Sequence, residues 1–387
     1  MEITFCKKKL KKIQQQMQLS GADACLLCVD VNLYYLTGRI YNGYFYIPAE
    51  GKPYFFVKRP AGFSGENVYY IRKPEDITDI LSAAAMELPE YLWLETDVLS
   101  YNESIRLEKI FRPARLGDAG KLMRNIRKVK TAEEIEQFRI SAQRHVEVYK
   151  EVRECFRMRM TDLQLQYEIE YRMRKMGSLG LFRAYGSNMD VFMGSLLAGK
   201  NAEAPSPFDF ALGGQGEHSI YPLGACGVVL EEGMAVMVDM AGNYTPYMTD
   251  MTRVFSVGRL ADEAYRAHRV SLDIHERVME MARPGTACAD LYREAVDIAE
   301  RAGLSDCFMG TQQQAKFIGH GVGLQINELP VLTPRSQEVL EPGMVFALEP
   351  KFVIPGTGAV GIENTLLVTD SGVENLTVFE EDIIPLM

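Results

Sequence analysis

Four carboxylates and one imidazole stand in strand-like sequence in the second half of the chain, most of them beside glycines. Each one ends or follows an apolar run, as in MAVMVDM, YMTDMTRVF, GHGVGL, VFALEP and VGIENTLLVT. The set comprises Asp239, Asp250, His320, Glu349 and Glu363. A buried carboxylate costs several kcal/mol unless cations or hydrogen-bond donors compensate it, so these positions call for a partner. Asp239 and Asp250 also flank a turn, which predicts a β-hairpin.

Taken singly, each of these residues has an ordinary explanation, such as a turn aspartate or a histidine in a tight turn. Their conjunction in a chain with five histidines favours a shared site. The four carboxylates carry a formal charge of −4, which matches two divalent cations. A ligand set dominated by oxygen favours Mn, Co or Fe(II) over a structural zinc. We expect Mn, with Co, Fe or Zn as alternatives.

The composition is that of a soluble globular protein with two domains. The chain has 387 residues, of which 47% are hydrophobic and 24% charged, and domains average about 150 residues. A net charge of −10 gives no cation-rich footprint for nucleic acid. No apolar run is long enough for a membrane span, and the charged amino terminus shows no export signal. Seven scattered cysteines suit reduced thiols, so we expect a cytoplasmic protein.

Residues 1–125 alternate short apolar runs with helical patterns, which predicts an α/β domain. Thr131 and Glu134 have the spacing of a capping box that opens a long helix, so a second domain is expected over residues 126–387. A second box, Thr161 with Gln164, predicts another helix. From Ser187 strands and glycines dominate up to a helix at Asp262–Met281, and the last hundred residues are expected to return to strands.

The motifs VDMAGNYTPYMTDMTRVF, GHGVGLQINELP, LEPKF and GIENTLLV resemble, in order and context, those of the pita-bread metallopeptidases. This family includes Xaa-Pro aminopeptidase, prolidase and creatinase. The resemblance implies a creatinase-like α/β amino-terminal domain and an α+β pita-bread catalytic domain with a curved antiparallel sheet. It also implies a dinuclear metal centre, a small peptide as substrate and a homodimer.

By the same resemblance, Asp239 would chelate one ion, His320 and Glu349 would serve the other, and Asp250 with Glu363 would bridge both. Glu349 would also shuttle a proton from water to the leaving nitrogen. Arg253, next to Thr252 after the second aspartate, is a candidate for orienting the ligands and for contacting substrate.

The sequence departs from the family where auxiliary histidines are usual. Ser206, Lys316 and Asn327 stand at those places and become the candidate substrate-binding residues. His218, in GGQGEHSIYPLG, is a candidate catalytic replacement for the missing first histidine, although a loop histidine without function is an equal alternative.

Three functions stay open at this point. The leading one is a dinuclear Xaa-Pro dipeptidase or aminopeptidase. The second is a metal-dependent hydrolase or lyase of a small nitrogenous or anionic compound, as in creatinase or ectoine hydrolase, favoured by Lys316 and Asn327. The third is a non-catalytic pita-bread binding module, against which the retention of all five ligands argues.

Overall fold

The structure is a computed structural model that describes residues 1–186 and 191–387. The chain divides into two compact units, Met1–Ile126 and Arg127–Met387. Among the described residues, no helix is long and apolar enough to cross a membrane.

The first unit is built around a six-stranded mixed sheet. Its elements are α1 Lys7–Ser20, β1 Ala24–Leu27, α2 Asp30–Thr37, β2 Asn42–Pro48, β3 Tyr54–Arg59, β4 Val68–Tyr70, α3 Asp76–Ala83, β5 Tyr91–Leu94, α4 Tyr101–Phe111, β6 Arg115–Asp118 and α5 Ala119–Arg127. The strand order is β4-β3-β2-β1-β5-β6, in which β2 runs antiparallel to both neighbours and the other pairs are parallel.

Helices of the second unit begin with the two predicted capping boxes. Thr131 accepts a hydrogen bond from the backbone of Glu134, and Thr161 accepts one from Gln164, with the reciprocal bonds in place. These helices are α6 Ala132–Lys150, α7 Val152–Cys155, α8 Asp162–Lys175, α9 Asp262–Met281 and α10 Cys288–Arg301. The range predicted for α9 agrees with the structure.

Strands of the second unit form antiparallel sheets, with one parallel pair at an edge. They are β7 Gly194–Ala198, β8 Ala235–Gly242, β9 Thr249–Ser256, β10 Gly319–Gly321, β11 Glu328–Val331, β12 Val345–Leu348, β13 Lys351–Ile354, β14 Gly358–Gly361, β15 Asn364–Val368, β16 Val373–Asn375 and β17 Ile384–Pro385. Short 3₁₀ turns lie at Gly199–Glu203 and Ser305–Cys307. The sheets have the orders β17-β9-β8-β7, β11-β10-β12-β15-β16 and β13-β14, and the parallel pair is β17 with β9.

The predicted fold class, an α/β unit followed by an α+β unit with antiparallel sheets, is confirmed. The stretch predicted to be strand-rich from Ser187 begins outside the described residues. The last hundred residues return to strands from β10 onward, after helix α10, which the sequence analysis did not predict. Its buried face consists largely of small side chains, such as Ala295 and Ala299, which give a weak apolar signal.

Histidines on the helices are structural, as the sequence indicated. His145 on α6 and His275 on α9 are buried, and burial lowers the pKa of each imidazole to about 3. The Nε2 atom of His275 lies 3.3 Å from the side-chain amide nitrogen of Asn364, and an amide can only donate there. That contact requires the neutral ring.

We expect acid to destabilise the second unit through these histidines. In the unfolded chain each titrates near pH 6.5, so the unfolded state binds more protons between about pH 6.5 and 3. Their contribution is fully present above pH 6.5 and declines below it. The loss should be about 2 kcal/mol per histidine between pH 7 and 5.

The test is denaturant unfolding at both pH values, followed by far-ultraviolet circular dichroism because the single tryptophan, Trp93, lies in the first unit. His145→Asn should be less stable at pH 7 but lose less on acidification. His218→Asn, at an exposed position, is the control. Equal losses in all three proteins would contradict the assignment.

Candidate metal centre

The predicted hairpin carries the two aspartates. Asp239 on β8 pairs with Thr252 on β9, and Asp250 on β9 pairs with Ala241 on β8. Positions 250 and 252 point to the same face of β9 because side chains alternate along a strand. A bridge between Thr252 and Glu363 then joins this hairpin to the chain just before β15.

His320 comes from the five-stranded sheet. It lies in the middle of β10, opposite Ala347 on β12, and Glu349 directly follows β12. The flanking glycines are required by the packing of the neighbouring strands. A Cβ atom on Gly319 would lie 2.2 Å from the carbonyl oxygen of Ala347, and one on Gly321 would lie 2.1 Å from that of Leu329.

All five predicted ligands line one cavity. Single ligand atoms of Asp250, His320 and Glu363 lie within 4.8 Å of one another. The Nε2 atom of His320 is 3.4 Å from Oε1 of Glu349 and 3.8 Å from Oδ2 of Asp250. Its Nδ1 atom lies 3.2 Å from the carbonyl oxygen of Gly321, which suits a donated bond and leaves Nε2 free for a cation.

A lysine that the sequence analysis passed over lies inside the cluster. The ammonium Nζ of Lys351 is 2.8 Å from Oδ2 of Asp239, 2.8 Å from Oε2 of Glu349 and 2.9 Å from Oε2 of Glu363. Its side chain is 0% exposed. The signal was present in the motif LEPKF, because a lysine two residues after Glu349 interrupts an otherwise apolar run.

Burial and mutual repulsion set the electrostatics of the cluster. Burial, with the charges of Glu363, Asp239 and Glu349, raises the pKa of Asp250 well above its usual range. Burial also raises the pKa of Asp239, against the opposing effect of Lys351. For Lys351 burial lowers the pKa, but the three carboxylates outweigh it and the net pKa is raised. The cluster therefore attracts positive charge.

Two residues hold Glu363 in place. Thr252 donates its hydroxyl hydrogen to Oε2 of Glu363 at 2.6 Å. Arg253 is fully buried and donates to the carbonyl oxygen of Glu363 at 2.9 Å and to Oδ1 of Asn364 at 2.8 Å. Its other hydrogen bonds go to backbone carbonyls, including that of Glu380. The prediction that Arg253 contacts substrate is therefore wrong, because its donors are used inside the protein, whereas its predicted role in positioning the ligands agrees with the contacts.

The cavity opens to solvent and has an empty volume of about 590 Å³. Phe182, Phe210 and Phe317 line it, together with Asp209 and Asn327. The amide of Asn327 accepts a hydrogen bond from the backbone nitrogen of Tyr185 at 2.6 Å and donates to its carbonyl oxygen at 2.9 Å. Asn327 thus reaches the cavity wall, but its amide holds the loop at Tyr185.

Ser206 and Lys316 line a neighbouring pocket that shares Phe210 and Phe317 with the first. The hydroxyl of Ser206 accepts a hydrogen bond from the backbone nitrogen of Phe208 at 3.0 Å, and Lys316 is exposed. The structure does not bring either residue to the carboxylate cluster.

His218 is exposed, and its Nδ1 atom accepts a hydrogen bond from the backbone nitrogen of Ile220 at 3.2 Å. It is absent from the described lining of the main cavity. The structure therefore does not bring His218 to the site, because a local turn with Tyr221 holds it at the surface.

The fold and the carboxylate cluster define a class of metal-dependent hydrolases, and comparisons with known proteins identify the family. Residues 136–370 match metallopeptidase family M24, and residues 9–129 match the creatinase/prolidase N-terminal domain. Since the first match covers more than half of the chain, the protein belongs to metallopeptidase family M24. The predicted metallopeptidase family is confirmed.

Individual relatives are similar to this chain over nearly its whole length. The chain is 27% identical over 389 aligned positions to the Xaa-Pro dipeptidase of Pyrococcus furiosus, covering 98% of this chain and 100% of that protein. The prolidase from Pyrococcus horikoshii OT3 superposes with a TM-score of 0.79 at 23% identity, over 98% and 100% of the two chains. The X-Pro aminopeptidase from Thermotoga maritima MSB8 gives 0.79 at 21%, over 97% and 99%.

Divalent metals are the cofactors of this family, and the carboxylates and histidine of the cavity fit such an ion. Oε1 of Glu363 is buried and has no hydrogen-bond partner among the described residues. The carboxylate of Glu363 is also one of the three groups, with Asp250 and His320, whose ligand atoms lie close enough to hold one ion. A buried anionic oxygen without a partner is costly, so a cation fits there. On the side of Asp239 the carboxylates already contact an ammonium.

Arg253→Lys should weaken metal binding about 10- to 100-fold, because a single ammonium cannot make the bonds that position Glu363 and Asn364. Isothermal titration with Mn²⁺ measures the affinity, and circular dichroism checks the fold. The Michaelis constant for substrate, measured at saturating metal, should be unchanged. A tenfold rise in that constant with normal metal affinity would restore a role for Arg253 in substrate binding.

Proposed function

We propose that the protein is a divalent-metal-dependent dipeptidase that cleaves Xaa-Pro peptides. The observation that carries this proposal is the convergence of four carboxylates and His320 on one cavity in a chain of family M24. The Xaa-Pro dipeptidase at 27% identity over the full length supports the substrate class.

The cavity has the chemistry to hold a short peptide with a free amino group. Its three phenylalanines form an apolar wall that suits a proline ring. Asp209, exposed at the same cavity, places negative charge towards a substrate ammonium. A dipeptide with a blocked amino group should therefore bind poorly.

Asp250, His320 and Glu363 would hold a metal ion. A divalent ion, when bound, lowers the pKa of water and polarises a carbonyl group. Glu349 is the general base and acid, since its Oε2 atom accepts a hydrogen bond from Lys351 while Oε1 faces His320. Oε1 is thus the atom that takes a proton from water and returns it to the leaving nitrogen.

The Mn²⁺-loaded protein should release proline from Ala-Pro, with slower cleavage of Ala-Ala and of N-acetyl-Ala-Pro. Proline release by a colorimetric assay measures the first rate, and liquid chromatography measures the others. Creatine and ectoine, offered in parallel, test the alternative of a small nitrogenous substrate. No cleavage of any dipeptide by metal-loaded protein would contradict the proposal.

Glu349→Gln should lower the turnover number at least about a hundredfold, which is the usual effect of losing a general acid/base. Its metal content should stay at the wild-type level, as measured by mass spectrometry of the elements. Glu276→Gln, at an exposed position on α9, is the matched control and should be fully active. Near-wild-type turnover by Glu349→Gln would remove this residue from the mechanism.

The identity of the metal, the oligomeric state and the cellular location are proposed from the sequence alone. Mn²⁺ is the proposed metal because carboxylates dominate the ligand set. A homodimer and a cytoplasmic location also stay predictions.

A further inference from the structure

Lys351 is the first residue of β13, and its backbone is held on both sides. Its carbonyl oxygen accepts a hydrogen bond from the nitrogen of Met309 at 2.8 Å, and β13 pairs with β14 at Gly361. The preceding carbonyl, that of Pro350, accepts a bond from the hydroxyl of Ser271 at 2.5 Å. The strand therefore fixes the direction of the lysine side chain.

The ammonium group makes as many strong hydrogen bonds as it can. An ammonium has three hydrogens, and Nζ has three carboxylate oxygens at 2.8 to 2.9 Å, from Asp239, Glu349 and Glu363. Charge-assisted bonds of this length are strong. Nζ thus occupies the point at which a cation shared by these three carboxylates would lie.

The remaining donors form a separate set. Single ligand atoms of Asp250, His320 and Glu363 lie within 4.8 Å of one another, and Oε1 of Glu363, unlike the Oε2 atom that contacts the lysine, has no hydrogen-bond partner among the described residues. This set has no lysine or arginine within salt-bridge distance among the described residues, apart from the lysine shared through Glu363. Two carboxylates and one imidazole are a normal ligand set for a single divalent ion.

We propose that the ammonium of Lys351 permanently replaces one cation of the carboxylate cluster. The centre therefore takes one divalent ion, held by Asp250, His320 and Glu363. Asp239 does not ligate this ion but anchors the lysine. This inference concerns the metal centre alone and does not depend on the identity of the substrate.

Two measurements on wild-type protein test the inference. After loading with excess Mn²⁺ and desalting, elemental mass spectrometry should give one ion per chain. Electron paramagnetic resonance should show the six-line spectrum of an isolated Mn²⁺ ion. Two ions per chain, an exchange-coupled pair, or no bound ion would each overturn the proposal. None of these readouts depends on activity. If one ion is bound but no peptide is cleaved, the proposed function is contradicted while the inference about the metal centre stands.

Variants assign the roles of individual residues. Asp239→Asn should still bind one ion, whereas His320→Ala should lose it. Lys351→Ala should gain a second ion, because it frees three carboxylates. Lys130→Met is the matched control, since it removes another buried ammonium, one that contacts Glu328, and it should keep one ion. Loss of the ion in Asp239→Asn, or one ion in a folded Lys351→Ala, would overturn the assignment, and the wild-type count decides if Lys351→Ala does not fold.

Discussion

The second unit contains four carboxylates that lie close together in a largely buried cluster, and its structure depends on positive charge that neutralises them. Four such groups cannot all stay ionised in a buried cluster without cations, because each would cost several kcal/mol. Lys351 supplies one positive charge from within the chain and contacts three of the four groups. Asp250 is the group left without it, and its pKa is raised well above the usual range by burial and by its neighbours.

The sheets are arranged to serve this cluster. The hairpin β8–β9 brings two aspartates, while β10 and the ends of β12 and β15 bring the histidine and the glutamates. Arg253 on β9 links this hairpin to the start of β15, because it donates hydrogen bonds to the backbone carbonyl of Glu363 and to the side chain of Asn364. Since its guanidinium is buried and fully used, it stabilises the geometry of the ligands and leaves recognition of substrate to the cavity wall.

Much of this could be predicted from sequence, because apolar runs and capping boxes act locally. The hairpin and α9 are examples. Within residues 1–125 the sequence predicts only the α/β class, and helix α2 shows why single helices are hard to place there: it is buried on nearly every face and has no polar stripe, as Val31, Leu33 and Leu36 illustrate. The candidate ligands were found because glycines and apolar strands surround them. His218 was misleading because a histidine in a glycine-rich loop has the same appearance whether it faces a cavity or solvent.

Lys351 was missed for a different reason. Four acidic ligands with a formal charge of −4 indicate two bound divalent cations when only these residues are considered. That balance leaves out the positive charge of the lysine. With the lysine the cluster carries −3, so one divalent ion leaves −1 and two would leave +1. The charge alone permits either number. The proposed single ion rests on position, because Nζ of Lys351 lies where an ion shared by Asp239, Glu349 and Glu363 would lie, and an ammonium can balance charge but cannot act as a Lewis acid. With one ion, the chemistry of the centre would come from the group of Asp250, His320 and Glu363.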